Sequence, residues 1–176
     1  MPSRSSIALI VLVASMTSAL AQSRYGIGRA ATPEEIAGWN IDVGRDGSGL
    51  PPGSGTVSRG HDIFVQQCAA CHGENGEGAV GDRLVEGQGT LATAKPVRTV
   101  GSYWPYAPTL FDYIRRAMPQ NAPQSLSNDD VYAVSAYILS LNGIVSADAT
   151  LDAKSLAAIR MSNRGGFGGD PRPDVK

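Results

Sequence analysis

Apolar positions along this chain repeat with helical period in a few stretches, separated by long segments rich in glycine and proline. From about Val57 or Ser58 to Cys71, Val57, Phe64 and Cys68 share one helical face, and Gly60 lies on that face too. Glycine inside a helix costs about 1 kcal/mol relative to alanine, so Gly60 predicts a second helix crossing close to the backbone there. The next helix is predicted from Thr109 to Ala117. Pro108 starts it, Leu110, Ile114 and Ala117 are spaced i, i+4 and i+7, and Met118-Pro119 ends it. A last long helix runs from Ser127 to about Leu141, opened by the capping-box run Ser127-Asn128-Asp129-Asp130 and closed by Asn142-Gly143. Val131, Val134, Ile138 and Leu141 form its apolar stripe. Ala133, Ala136 and Tyr137 make a face suited to close packing, with Gly60 and Phe64 as expected partners.

Two shorter helices complete the pattern. Pro33 to Trp39 has Thr32 to cap it, Pro33 at the first position and Glu34 and Glu35 at its positive end. Ala147 to Arg160 has room for one more. Gly44 to Gly55 and Gly73 to Gly78 are too rich in Gly, Pro and Ser for regular helix, and the second runs into an irregular segment reaching Pro108. Ile36, Trp39, Ile41 and Val43 give the early segment more apolar surface than a disordered arm carries, whereas Gly165 to Pro173 has the composition of a disordered tail.

Ahead of all this, Arg4 precedes an apolar run from Ile7 to Val13, and Ala19-Leu20-Ala21 is a small-x-small cleavage site. The run breaks at Ser15, Thr17 and Ser18, short of the ~20 residues that span a bilayer, so a cleaved signal peptide is expected and no membrane anchor after it. The expected organisation is a signal peptide over 1–21, an extension over 22–56, one all-α domain over 57–145 and a C-terminal extension over 146–176. The 176 residues, 42% of them hydrophobic, suit one small core. Losing Arg4 with the leader takes the net charge from −1 to −2, and Lys95, Lys154 and Lys176 are far apart in sequence. That balance lacks the basic surface expected of a nucleic-acid binder.

The chemistry concentrates in Cys68-Ala69-Ala70-Cys71-His72, which uses both cysteines and one of the two histidines. Such a run is an attachment site for one c-type haem: two thiols on one helical turn add to the porphyrin vinyl groups, and the adjacent imidazole becomes the proximal iron ligand. Two alternatives stand beside it. Zinc held by His61, Cys68, Cys71 and His72 requires neighbouring residues 71 and 72 to point at one small tetrahedral ion. A redox dithiol wants a βαβ setting. His61 itself lies seven residues before Cys68, roughly 10 Å along a helix axis, and reads as a helix-face residue.

A bound porphyrin also supplies a wall on which the long loop to Pro108 can fold. Trp104, Tyr103 and Tyr106 are its expected contacts, through ring packing or a polar tip on a propionate, although ordinary core packing accounts for the same rings. Met118 is the expected distal ligand by position and by elimination, because Met1 and Met16 leave with the leader and Met161 lies in a polar stretch. The alternative is a core methionine with the iron left open. A His/Met pair favours ferrous iron, raises the reduction potential and leaves no vacant site for substrate. Thioether-bound haem and export agree with each other, so a periplasmic location is expected.

With Gly60 and Phe64 ahead of Cys68-x-x-Cys71-His72, then Met118-Pro119, then a final helix bearing Ala136-Tyr137, residues 57 to about 145 resemble the class I cytochrome c family. The resemblance implies a monohaem, all-helical fold whose first and last helices cross at such a glycine and aromatic pair. It also implies thioether links at Cys68 and Cys71, a proximal His72 and a distal Met118. A narrower likeness lies in Gly49 to Gly55, Gly101 to Ala107 and Arg115 to Leu126, which look like the cytochrome subunit family of the bacterial Sox sulfur dehydrogenases, also designated sulfite dehydrogenase cytochrome subunits. That likeness implies a molybdenum-cofactor partner subunit that oxidises sulfur, with electrons leaving through the haem to a downstream cytochrome c or oxidase. Some members carry a second haem domain, whereas this chain has a single Cys-x-x-Cys-His. A free electron shuttle and a haem enzyme or sensor with an open iron site are the rival readings.

Overall fold

Capping residues set where the helices of this chain begin, in a computed structural model that describes residues 27–172. The signal peptide expected over 1–21 lies outside the described residues. Helix α1, Pro33–Trp39, opens with a complete capping box in which the Thr32 hydroxyl accepts the Glu35 N–H and the Glu35 carboxylate accepts the Thr32 N–H. It buries none of its residues, and Trp39 is 87% exposed. α1 belongs to the first of two compact units, which ends at Asn40.

The second unit starts at Ile41. It contains β1 (Ser54–Thr56), α2 (Val57–Gln67), α3 (Ala69–His72), α4 (Ala107–Ala117), α5 (Asn128–Leu141), β2 (Thr150–Asp152) and α6 (Ala153–Ala158). The Thr56 hydroxyl caps α2 by accepting the Arg59 N–H at 3.2 Å. The Ser127 hydroxyl caps α5 in the same way through the Asp130 N–H. The return half of that box is absent, because the Asp130 carboxylate is taken by the Ser127 hydroxyl and by Arg59 Nε, 2.9 Å away on α2.

α5 is the central element, with every residue from Val131 to Leu139 buried. It is enclosed because α2 and α4 both pack on it and the β1 backbone lies against it as well. The crossing expected at Gly60 is present. A β-carbon on Gly60 would run into the Ala133 carbonyl and lie 2.8 Å from Tyr137 Cβ, so only glycine lets the two backbones meet there. One turn further on, the Phe64 and Tyr137 rings pack 5.2 Å apart. On the α4 side, Phe111 and Tyr132 pack at 4.5 Å.

Where the sequence offers only extensions, the structure has an antiparallel ribbon pairing Ser54 with Asp152, Gly55 with Leu151 and Thr56 with Thr150. This pairing returns the chain to the core, where Leu151, Leu156 and Met161 join the main cluster. The expectation that Met161 lies in a polar tail is therefore corrected: it is 2% exposed. Its polar neighbours in sequence face outward while its side chain fills the core. Among the described residues, no helix is long and apolar enough to cross a membrane.

Candidate functional site

α2 stops at Cys68, whose backbone (φ −121°, ψ −37°) leaves helical geometry for one residue before α3 resumes it. The Cys68 N–H still bonds the Phe64 carbonyl at 2.8 Å, and the Cys68 carbonyl accepts both the Cys71 N–H at 3.0 Å and the His72 N–H at 2.9 Å. Both thiols and the imidazole thus issue from a single turn fixed to the end of α2. Cys68 is half-buried and Cys71 exposed. Burial, with the neighbouring Cys71 adding to it, pushes the Cys68 thiol up to about 11.

The loop after α3 closes back over the imidazole. Gly78 N–H bonds the His72 carbonyl and Gly81 N–H bonds the Cys71 carbonyl, each at 2.7 Å. This brings the Asp82 carbonyl to 2.6 Å from His72 Nδ1. A carbonyl can only accept, so Nδ1 carries the proton and Nε2 keeps its lone pair for a metal. The close approach is possible because residue 81 is glycine: a β-carbon there would sit 3.1 Å from His72 Cε1. The same loop is tied to the end of α5 by Asn142 Nδ2, which donates to the Leu84 carbonyl at 3.1 Å. Sequence reasoning missed Asp82, since a backbone acceptor has no residue-type signature.

Met118 is the residue that ends α4, half-buried, with its N–H on the Ile114 carbonyl at 3.0 Å. Trp104 is half-buried and meets the α4 residue Tyr113 edge-on, ring centroids 5.7 Å apart. Cys68, Trp104 and Met118 all pack against the same core cluster. Tyr106 is engaged differently, with the Arg164 guanidinium 4.4 Å and the Arg45 guanidinium 5.9 Å from its ring centre. His61 stacks edge-on to Tyr137 at 5.4 Å and contacts Asp62, as a helix-face histidine does. Among the described residues, no three His, Cys, Asp or Glu side chains group as metal ligands.

A cytochrome c family model matches residues 57–142. A chain in the crystal structure of the sulfane dehydrogenase SoxCD from Paracoccus pantotrophus is 43% identical, with a TM-score of 0.81, over 86% of this chain and 75% of that one. This chain belongs to the cytochrome c family. Its architecture is the class I cytochrome c fold, all-α apart from the β1–β2 ribbon. As a cytochrome c it carries covalently bound haem c and serves electron transfer.

The residues of this cytochrome fit that group. Two thiols on one turn, an imidazole with Nε2 free and a thioether are the attachment and axial donors that haem c takes. Cys68, Leu84, Trp104, Met118 and Leu126 are apolar, packed on the core on one side and only half covered on the other. Such surface is what a porphyrin covers.

Proposed function

We propose that this cytochrome is the periplasmic electron-transfer subunit of a molybdenum-cofactor dehydrogenase acting on sulfur compounds, with one haem per chain. Cys68 and Cys71 hold the haem through thioether bonds, His72 Nε2 is the proximal ligand and the Met118 sulfur the distal one. The observation that carries this reading is the 43% identity extending over 86% of the chain, against a relative described as a sulfane dehydrogenase. That span reaches beyond residues 57–142 into the flanking segments, which a diffusible carrier does not need and a subunit uses against its partner.

Bound haem supplies a one-electron couple. The protein sets how that couple behaves. The Asp82 carbonyl holds His72 in one orientation and tautomer and makes its imidazole a stronger donor. Met118, a soft thioether, would favour the ferrous state, and with His72 and Met118 both donating to the iron no position would remain for a substrate. Electrons enter from the molybdenum subunit and leave to a downstream cytochrome c or oxidase. The leader over 1–21 directs the chain to the compartment where these partners work.

Purification of the native protein from periplasm tests the reading. A molybdenum-containing chain is expected to co-elute, and reduced sulfur substrate is expected to bleach the ferric haem spectrum of the complex. Isolation as a lone monomer that such substrate cannot reduce would identify a diffusible shuttle instead.

A further inference from the structure

The segment from Ile41 to Pro52 has no regular structure, yet its first residues, Ile41 to Val43, are bound to the last two turns of α4 and its last, Pro51 and Pro52, to the start of α5. Asp112 on α4 accepts the Val43 N–H at 3.1 Å and is gripped by Arg116 through Nε at 2.9 Å and a terminal nitrogen at 2.8 Å. The same guanidinium reaches Asp42 at 2.8 Å, and Arg115 donates to the Ile41 carbonyl at 3.4 Å. Val43 and Leu50 pack on the core beside these polar contacts, and Tyr132 donates to the Pro51 carbonyl at 2.8 Å.

Two residues beyond Arg116 the helix ends at Met118. On the far side of Met118, Pro119 is buried and Leu126 packs on the core, but residues 120–125 between them are exposed and their backbone bonds are local turns, Ala122 N–H to Pro119 and Ser125 N–H to Ala122. The hydrogen-bonded support of Met118 is on the α4 side, where its N–H bonds the Ile114 carbonyl in the turn that the early segment clamps. Iron–thioether bonds are weak, and a weak ligand follows local opening of the element that carries it. Exposed ion pairs usually contribute little to global stability. A bidentate Arg–Asp pair that also holds a backbone N–H and a second carboxylate is geometrically defined enough to suppress a local opening.

We propose that residues 41–50 form a strap on the end of α4, and that Asp112, Arg116 and Asp42 are positioning residues for the Met118 sulfur. The inference rests on Met118 being the distal ligand. Its effect is to keep the thioether on the iron against competing exogenous ligands.

The test uses haem-loaded full-length protein and free imidazole as the probe, titrated into the ferric form while the far-red band of the methionine–iron bond is followed. Asp112→Asn and Arg116→Gln are expected to bind imidazole about tenfold more tightly than wild type, the effect of losing one charge-assisted hydrogen bond. Asp42→Asn, which leaves the Asp112–Arg116 pair intact, is expected to give a smaller rise of about threefold. Wild-type imidazole affinity in these variants would overturn the strap. Should the first two fail to accumulate with haem, Asp42→Asn alone decides on the same criterion. Met118→Ala separates the two levels: if it keeps the far-red band, the ligand assignment is what fails, whereas loss of the band there with unchanged affinity in the strap variants refutes the strap alone.

Discussion

His72 Nδ1 lies 2.6 Å from the backbone carbonyl of Asp82, ten residues further along the chain. The bond is made by a glycine-rich loop folding back onto the turn that precedes it, and it leaves Nε2 as the ring nitrogen available to a metal.

Weakening this bond makes the imidazole a poorer donor, which stabilises ferric iron less and raises the reduction potential. Gly81→Ala is the mildest lever, because its β-carbon would sit 3.1 Å from His72 Cε1 and 3.3 Å from Nδ1. Spectroelectrochemistry is expected to give a potential higher by tens of millivolts, about 59 mV being one tenfold step for a one-electron couple. An unchanged or lower value would show that the Asp82 carbonyl does not tune the iron.

Gly60→Ala sets two effects against each other. Alanine gains about 1 kcal/mol of helix propensity. Its β-carbon, however, meets the Ala133 carbonyl, a backbone group that cannot rotate aside. Overpacking of this kind costs typically 1–3 kcal/mol and more against backbone, so a net loss of about 2 kcal/mol and a Tm lower by roughly 4–8 °C are expected. The haem absorption spectrum should not change, and a Tm at or above wild type would contradict the crossing.

The sequence made the helices and their crossing readable because the physical causes are local. Thr32, Ser127 and Pro108 mark starts through caps and fixed φ, Met118-Pro119 marks a stop, and Gly60 is out of place in a helix unless something lies on it. The attachment run is legible for the same reason, since residues 68 to 72 must lie on one turn. The β1–β2 ribbon could not be seen, because each strand has three residues and the register is set by partners about a hundred positions apart. Met161 misled for a related reason: one apolar residue among polar ones has no period, and its burial depends on where the ribbon returns the chain. Arg116 and Asp112 do carry an i, i+4 signal, but nothing in it reveals that Asp42 and the Val43 N–H complete the network.

Met118 and Met161 should part company under substitution. Met161→Ala removes a buried core side chain and is expected to cost about 2–5 kcal/mol, with the haem spectrum intact. Met118→Ala is expected to abolish the far-red band and lower the potential with a smaller loss of stability, because Met118 is only partly buried in the protein itself. Thermal melts and visible spectra of the pair check this, and the reverse pattern would exchange their roles.

Tyr132 provides a pH signature. Its buried hydroxyl donates to the Pro51 carbonyl at 2.8 Å, and burial pushes its pKa to about 12. A folded-state pKa above the unfolded value of about 10 means its contribution is complete below pH 10 and disappears as pH rises through 12. Tyr132→Phe is therefore expected to cost about 1 kcal/mol at neutral pH, with the gap to wild type closing between pH 10 and 12. Denaturant unfolding at pH 7 and pH 11 measures the gap, and a constant difference would contradict the assignment.

The central claim is that the haem is a relay with both axial positions held by the protein, and carbon monoxide probes it most directly. Reduced wild-type protein at neutral pH is titrated with the gas under visible spectroscopy, with Met118→Ala alongside. The account predicts that wild type keeps its reduced spectrum while the variant binds carbon monoxide readily. Ready binding by wild type would mean an open iron site, and with it a haem enzyme or sensor in place of an electron-transfer subunit.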